Sequence, residues 1–250
     1  MTKTLGLIGA GIIATTVARL AVAAGLDVVL SNSRGPDTLA GLVAELGEHA
    51  RAGTPEDAAR EGDIVVLAIP LNGYESLPAE ALAGKLVIDA TNYYPQRDGG
   101  IPVLDSNELT SSQLVQQHLA GSLLVKAFNS IAYLSLGSRA RPAGDPDRSA
   151  LPIAGDDAAA KTRVTALLDI LGYDAVNIGP LTDSWRSEPN NPVYVMPYLA
   201  GMPPKDATPE QGAHWALENP GVAVPADQIR KLTDSAVRGV AGGYLASLES

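Results

Sequence analysis

"GLIGAGIIA", Gly6–Ala14, closes a short apolar run and opens a stretch of helical periodicity. It contains Gly9-x-Gly11-x-x-Ala14, and each small residue has a separate job. Gly9 permits a tight strand-to-helix turn, Gly11 lets the backbone approach a pyrophosphate, and Ala14 allows close helix–sheet packing. A pyrophosphate then sits on the free amides of the helix N-terminus.

Outward from this turn, Thr4–Ile8, Asp27–Leu30, Ile64–Ile69, Leu86–Asp89, Leu123–Phe128, Leu151–Ala154 and Asp174–Ile178 read as strands. Most are continuously apolar, as in a sheet buried on both faces. Between the first two, Ile13, Val17, Leu20 and Ala24 fall at helical spacing and predict an apolar stripe toward the sheet. Leu39–Leu46 and Pro55–Arg60 predict a helix and a short helix, the second capped by Thr54. Asp156–Leu171 predicts another, capped by Asp156 or Asp157, with Val164, Leu167, Leu168 and Leu171 on one face. This alternation specifies an α/β fold, a doubly wound (Rossmann), mostly parallel sheet.

The texture changes after Pro180. Residues 181–225 hold eight prolines with Trp185, Tyr194, Tyr198 and Trp215, too aromatic for a linker and too proline-rich for long helices. We expect residues 1–180 to form the nucleotide-binding domain. Residues 181–250 form a packed, irregular and partly helical C-terminal extension that completes an acceptor pocket. A helical pattern returns over 226–248, a candidate dimer interface.

Bulk composition narrows the function. Of 250 residues, 46% are hydrophobic and 18% charged, so a sizeable core forms; the net charge of −10 disfavours nucleic acid and anionic membranes as partners. No cysteine is present, and His49, His118 and His214 are far apart without metal-ligand spacing, so no metal site is expected. No window reaches 18 apolar residues, and the N-terminus lacks a leader pattern, so the expected location is cytoplasmic.

"VVLSNSRG", Val28–Gly35, sets the nucleotide. A carboxylate at the end of the second strand would bind the 2′-OH of NAD and repel a 2′-phosphate. Here Ser31, Asn32, Ser33 and Arg34 stand instead, neutral donors and one cation suited to a phosphate dianion, which predicts NADP(H). Further strand ends point into the same cleft: Ile69, Pro70 and Leu71 on the nicotinamide side, then Asn92, then Lys126 and Asn129. Lys126 reads equally as a surface lysine, and Asn92 and Asn129 as turn caps. No Ser/His/Asp or paired-carboxylate constellation is evident, which leaves Lys126 and Asn129 as the catalytic candidates.

These pieces resemble the NADPH-dependent reductases of coenzyme F420, an 8-hydroxy-5-deazaflavin. The resemblance rests on Gly9-x-Gly11, "SNSR", "LAIP", "KAFNS", "AGDD" at Ala154–Asp157 and "IGPL" at Ile178–Leu181 with Arg186 and Glu188. "VKAFN" and the "SR" turn are also similar to the NADPH–flavin oxidoreductase domain of membrane metalloreductases. The resemblance implies direct hydride exchange between NADP(H) and coenzyme F420 or a flavin (FAD or FMN), and a homodimer. It places Gly9, Gly11, Ile12 and Ile13 on the pyrophosphate, and Ser31, Ser33 and Arg34 on the 2′-phosphate. Ile69, Pro70 and Leu71 go to the nicotinamide, and Lys126, Asn129, Ser130 and Ile131 to the second ring. Asn129 departs from the histidine expected against the deazaflavin. Two other readings fit the same fold: an NADPH-dependent reductase of a small imine or carbonyl, with Lys126, Tyr133 or Tyr194 as proton donor, and a non-catalytic NADP(H) sensor.

Overall fold

The computed structural model describes residues 2–204 and 206–244. Eight strands form one sheet: β1 Thr4–Ile8, β2 Asp27–Ser31, β3 Ala50–Ala52, β4 Ile64–Leu67, β5 Leu86–Asp89, β6 Leu123–Lys126, β7 Ala150–Gly155 and β8 Asp174–Asn177. The spatial order is β3-β2-β1-β4-β5-β6-β7-β8, and every neighbouring pair is parallel except β6 and β7. Chain order reverses beside β1, so the switch point lies between β1 and β4, where ligands bind in open α/β sheets.

The helices are α1 Ile12–Ala23, α2 Ala40–Leu46, α3 Pro55–Glu61, α4 Ala79–Leu82, α5 Pro95–Asp98, α6 Pro102–Asp105, α7 Ser111–His118, α8 Tyr133–Ser138, α9 Ala158–Ile170, α10 Pro209–Glu218 and α11 Ala226–Asp234. Among the described residues no helix is long and apolar enough to cross a membrane. Successive side chains of a strand point to opposite faces. Leu5, Leu7, Val28, Leu30, Val66 and Ile88 therefore pack with α1 and α9, whereas Ile8, Val29, Val65, Leu67 and Val87 pack with α3 and α7. Both faces are covered, which is why these strands read as unbroken apolar runs.

Several boundaries move. The three-residue edge strand β3 carries no apolar run and gave no signal in the sequence. β4 ends at Leu67 and β6 at Lys126, earlier than expected, because both chains bend away once past the sheet; Phe128 has φ 63°. Helix α1 is rotated by about one residue. Its buried positions are Ala14, Thr16, Val17, Ala18 and Ala21, small enough to bring the helix close, while Ala24 lies outside the helix and is exposed. Thr54 caps α3 as expected, in a reciprocal box with Asp57. Asp157 rather than Asp156 caps α9, accepting from the Ala160 amide.

Beyond Pro180 the chain winds through two 3-10 turns, Leu181–Ser187 and Met196–Tyr198, but then forms the ten-residue α10, with Thr208 and Gln211 closing its first turn. Val193, Tyr198, Val224 and Ile229 from this region are fully buried in the cluster that holds α1 and β7. The helical pattern expected over 226–248 is helix only to Asp234, and residues 245–248 lie outside the described residues. From Ser235 the chain runs as a strap. Asn107 and Asn190 donate side-chain amides to the Gly239 and Gly242 carbonyls, and the Gly243 amide donates to Tyr93. Cβ atoms built on Gly242 and Gly243 would meet Pro95 at 2.7 Å and Pro189 at 2.5 Å. Only glycine threads there, and those pairings replace helical ones.

Candidate functional site

A cleft of about 470 Å3 opens at the carboxyl ends of β1, β2 and β4. It is lined by Gly9, Gly11, Arg34, Ile69, Pro70 and Asn72 among others. Gly9 has φ 110°, and a Cβ there would stand 2.3 Å from the Ala68 carbonyl oxygen. Its amide donates to the Ser31 carbonyl at 3.0 Å, which ties the turn to β2. Gly11 is the N-cap of α1, and a Cβ built on it meets nothing within 4 Å. Its open side faces the cleft, and no side chain caps the helix, so the first-turn amides stay available to an anion. No acidic residue stands in that turn. Ile12, half-exposed, and Ile13 begin the helix.

Asn32, Ser33 and Arg34 line the other lobe. The Asn32 carboxamide oxygen accepts from the Arg34 amide at 2.9 Å while its nitrogen donates to Thr38, so Asn32 builds the turn. Arg34 is exposed, and among the described residues its guanidinium has no hydrogen-bond or ion-pair partner. Ser31 is a correction to the expected site: it is fully buried and its hydroxyl donates to the Leu7 carbonyl at 2.9 Å. That strand position faces the core. Leu71 is a second correction, since the turn after Pro70 carries its side chain into the α3 face of the core.

The expected catalytic candidates sit below the surface. Lys126 is fully buried, and its three protons go to Asp89 at 3.2 Å, the Thr91 carbonyl at 2.6 Å and Ser111 Oγ at 3.0 Å. Asp89 also accepts from Ser112 Oγ at 2.6 Å and the Thr91 amide, and Ser111 donates to Glu188 at 2.7 Å. Register places Asp89 directly beside Lys126 across β5 and β6. An ammonium with all three donors committed in the interior is a strut, neither a surface lysine nor a proton donor. Asn129 is 4% exposed. It donates to the Asn92 side chain at 3.2 Å and the Ser187 carbonyl at 2.7 Å, and Asn92 returns a bond to the Asn129 carbonyl at 2.9 Å. The structure thus brings Asn92 and Asn129 together, but as a clasp between strand ends. Ser130 and Ile131 are likewise buried.

Among the aromatics of the extension, Tyr198 is core, its hydroxyl donating to Ala150, and Trp185 is flanked by Arg186 and Arg238. Tyr133, at the start of α8, is exposed. Tyr194 differs. Its hydroxyl meets that of Tyr94, a residue not singled out in the sequence, and burial pushes its phenol well above the ordinary range. Tyr94 stands five residues past Asp89 on the loop leaving β5. The sequence signal was only "NYYP", without a partner to give it meaning. Among the described residues no group of three or more His, Asp or Glu side chains could hold a metal ion.

Comparison with known proteins follows the cleft. Residues 4–93 match the family described as NADP oxidoreductase, coenzyme F420-dependent. These residues run from β1 to the exit of β5 and supply every lining residue of the cleft. The chain is an NADP-dependent oxidoreductase built on a Rossmann-like fold. Two solved structures match along most of its length. A hypothetical protein from Sinorhizobium meliloti is 26% identical with TM-score 0.67, over 78% of this chain and 94% of that one. A candidate F420-dependent NADP-reductase from Arthrobacter sp. FB24 is 25% identical with TM-score 0.61, over 74% and 87%. An imine reductase from Myxococcus stipitatus shares the fold alone, at 22% identity and TM-score 0.51, over 73% of this chain and 56% of that one. No curated protein matches the sequence.

Proposed function

We propose that this oxidoreductase moves a hydride between NADP(H) and a deazaflavin such as coenzyme F420, or a flavin, by direct ring-to-ring transfer. The observation that carries the reading is the cleft itself. An uncapped helix N-terminus at Gly11, the Arg34 guanidinium, without a partner among the described residues, and an apolar corner at Ile69 and Pro70 line one continuous space. The residues fit the dinucleotide: Gly9 and Gly11 leave room for backbone approach, Ile12 and Ile13 offer amides to the pyrophosphate, and Asn32, Ser33 and Arg34 receive a 2′-phosphate. The nucleotide supplies a two-electron hydride donor or acceptor when bound.

The chain's own residues position and shield. Ile69 and Pro70 form an apolar edge that holds water off a flat ring, and apposition of two rings is the main requirement of such a transfer. The commitment of Lys126 to structural bonds supports a mechanism that relies on placement. The extension beyond residue 180 forms the acceptor-side wall in this reading, through Tyr194. The test is anaerobic NADPH oxidation with coenzyme F420, FAD and FMN offered separately, repeated with NADH. Turnover with at least one ring, and a strong preference for NADPH, is expected. Turnover with none overturns the reading.

A further inference from the structure

Two phenols in contact share one hydrogen bond, which uses one hydroxyl hydrogen and leaves the other. Among the described residues the Tyr94 and Tyr194 hydroxyls bond only to each other, so the pair holds one unspent O–H. The backbone that carries Tyr94 lies close to the nucleotide cleft. The Tyr94 amide donates to Asp98, whose other oxygen lies 3.5 Å from the amide of Asn72, a lining residue of the nucleotide cleft. Asn72 also donates to the Arg97 carbonyl.

Tyr194 is delivered by strained backbone. Val195 has φ 57° and ψ −56°, and the Met196 amide donates to the Tyr194 carbonyl at 2.6 Å, which closes a three-residue γ-turn. The Val195 amide donates to the Ser130 carbonyl at 2.7 Å and anchors the turn to the loop that leaves β6. A β-branched residue in this conformation persists only where its surroundings over-determine it, a condition that concentrates at functional sites. The Arg97 guanidinium lies 5.0 Å from the centre of the Tyr94 ring and packs over its face.

We infer that Tyr94 is a catalytic residue, a hydrogen-bond and proton donor to the hydride acceptor, with Tyr194 as the positioning residue that orients it. The acceptor class is a compound whose hydride-accepting atom, a carbon or the flavin N5, is doubly bonded to or conjugated with a nitrogen or oxygen, as in deazaflavins, flavins, imines and carbonyls. As that atom gains the hydride, its π pair moves through the double bond or conjugated system to the nitrogen or oxygen, which takes the phenolic proton of Tyr94. A proton from water then restores the phenol. The assignment rests on the hydride-transfer reading above.

The test compares wild type, Tyr94→Phe and Tyr194→Phe in anaerobic NADPH oxidation with F420 and FMN. It also measures equilibrium binding of each oxidised ring to the NADP+-loaded protein. Tyr94→Phe is expected to lose about 10²-fold in rate with NADPH affinity unchanged, to lose the solvent-deuterium effect on kcat that proton transfer from the phenol gives wild type, and to bind the ring more weakly. Tyr194→Phe keeps that isotope effect and loses less. Active wild type beside a Tyr94→Phe of equal rate and unchanged isotope effect overturns only this assignment. A wild type inert toward both rings and toward FAD overturns the hydride-transfer reading; Tyr94 then stands as an acceptor contact only if its variant still weakens ring binding, and falls too if it does not.

Discussion

Lys126 Nζ stands 3.2 Å from Asp89 Oδ2, with neither side chain exposed to solvent. Removing one partner of such a pair strands a buried charge and costs about 3–5 kcal/mol. Lys126→Met is expected to lose stability of that order in urea unfolding. Adding Asp89→Asn removes the stranded charge and should recover at least ~1 kcal/mol. A double variant as unstable as the single would mean that packing, not charge, sets the loss.

Arg34 lines the cleft's second lobe with no partner among the described residues. Charge-assisted hydrogen bonds contribute about 1.5–3 kcal/mol, so Arg34→Ala should weaken NADPH binding roughly 10- to 100-fold. NADH binding should stay within about 2-fold, because NADH has no 2′-phosphate. Titration of both nucleotides by fluorescence or calorimetry checks this, and equal losses would remove Arg34 from the phosphate.

Gly9 and Gly11 make opposite demands. Gly9→Ala places a methyl 2.3 Å from a carbonyl oxygen at φ 110° and should fold poorly or with strongly reduced Tm. Gly11→Ala meets nothing in the protein, so its Tm should match wild type while NADPH affinity falls. Melting curves with and without NADPH separate the two.

The His49 ring bonds to Asp27 at 2.8 Å, and that hydrogen bond raises the imidazole above its ordinary 6.5. A folded-state value above the unfolded one gives stability that is complete below the unfolded value and is lost as pH rises through the folded one. Asp27→Asn should therefore lower Tm on the acid side of neutrality and leave it unchanged in alkali. Identical pH profiles for the two proteins would show the bond contributes nothing.

The sheet and the nucleotide turn were legible because buried strands and glycine turns write themselves locally, as at Leu5–Gly11. Orientation within an element was less so. Ile13 and Leu20 are larger than Ala14 and Ala18, yet the alanines face the sheet, since close packing selects small residues. Ser31 and Leu71 carried the right chemistry for the cleft but alternate strand geometry and one turn aim them inward. Lys126 was ambiguous because its partners, Asp89, Ser111 and Thr91, come from separate elements. "LVID" and "LLVK" did hold a clue: two apolar strands, each ending in an opposite charge, that register places side by side. Tyr94 and Tyr194 lie 100 residues apart, and nothing local joins them.

The slot that admits Gly242 and Gly243 is walled by Tyr93, Tyr94 and Pro95 on one side and Pro189 on the other. A slot of that width is a gauge: it accepts bare backbone and rejects a methyl group. Its walls include the ring of Tyr94, so a side chain added at Gly243 meets Pro189 at 2.5 Å and then that ring at 2.9 Å, 149 positions earlier in the chain. Enlarging the two glycines of the slot would therefore displace the Tyr93–Pro95 loop together with Pro189, two stretches that no described strand or helix ties to each other.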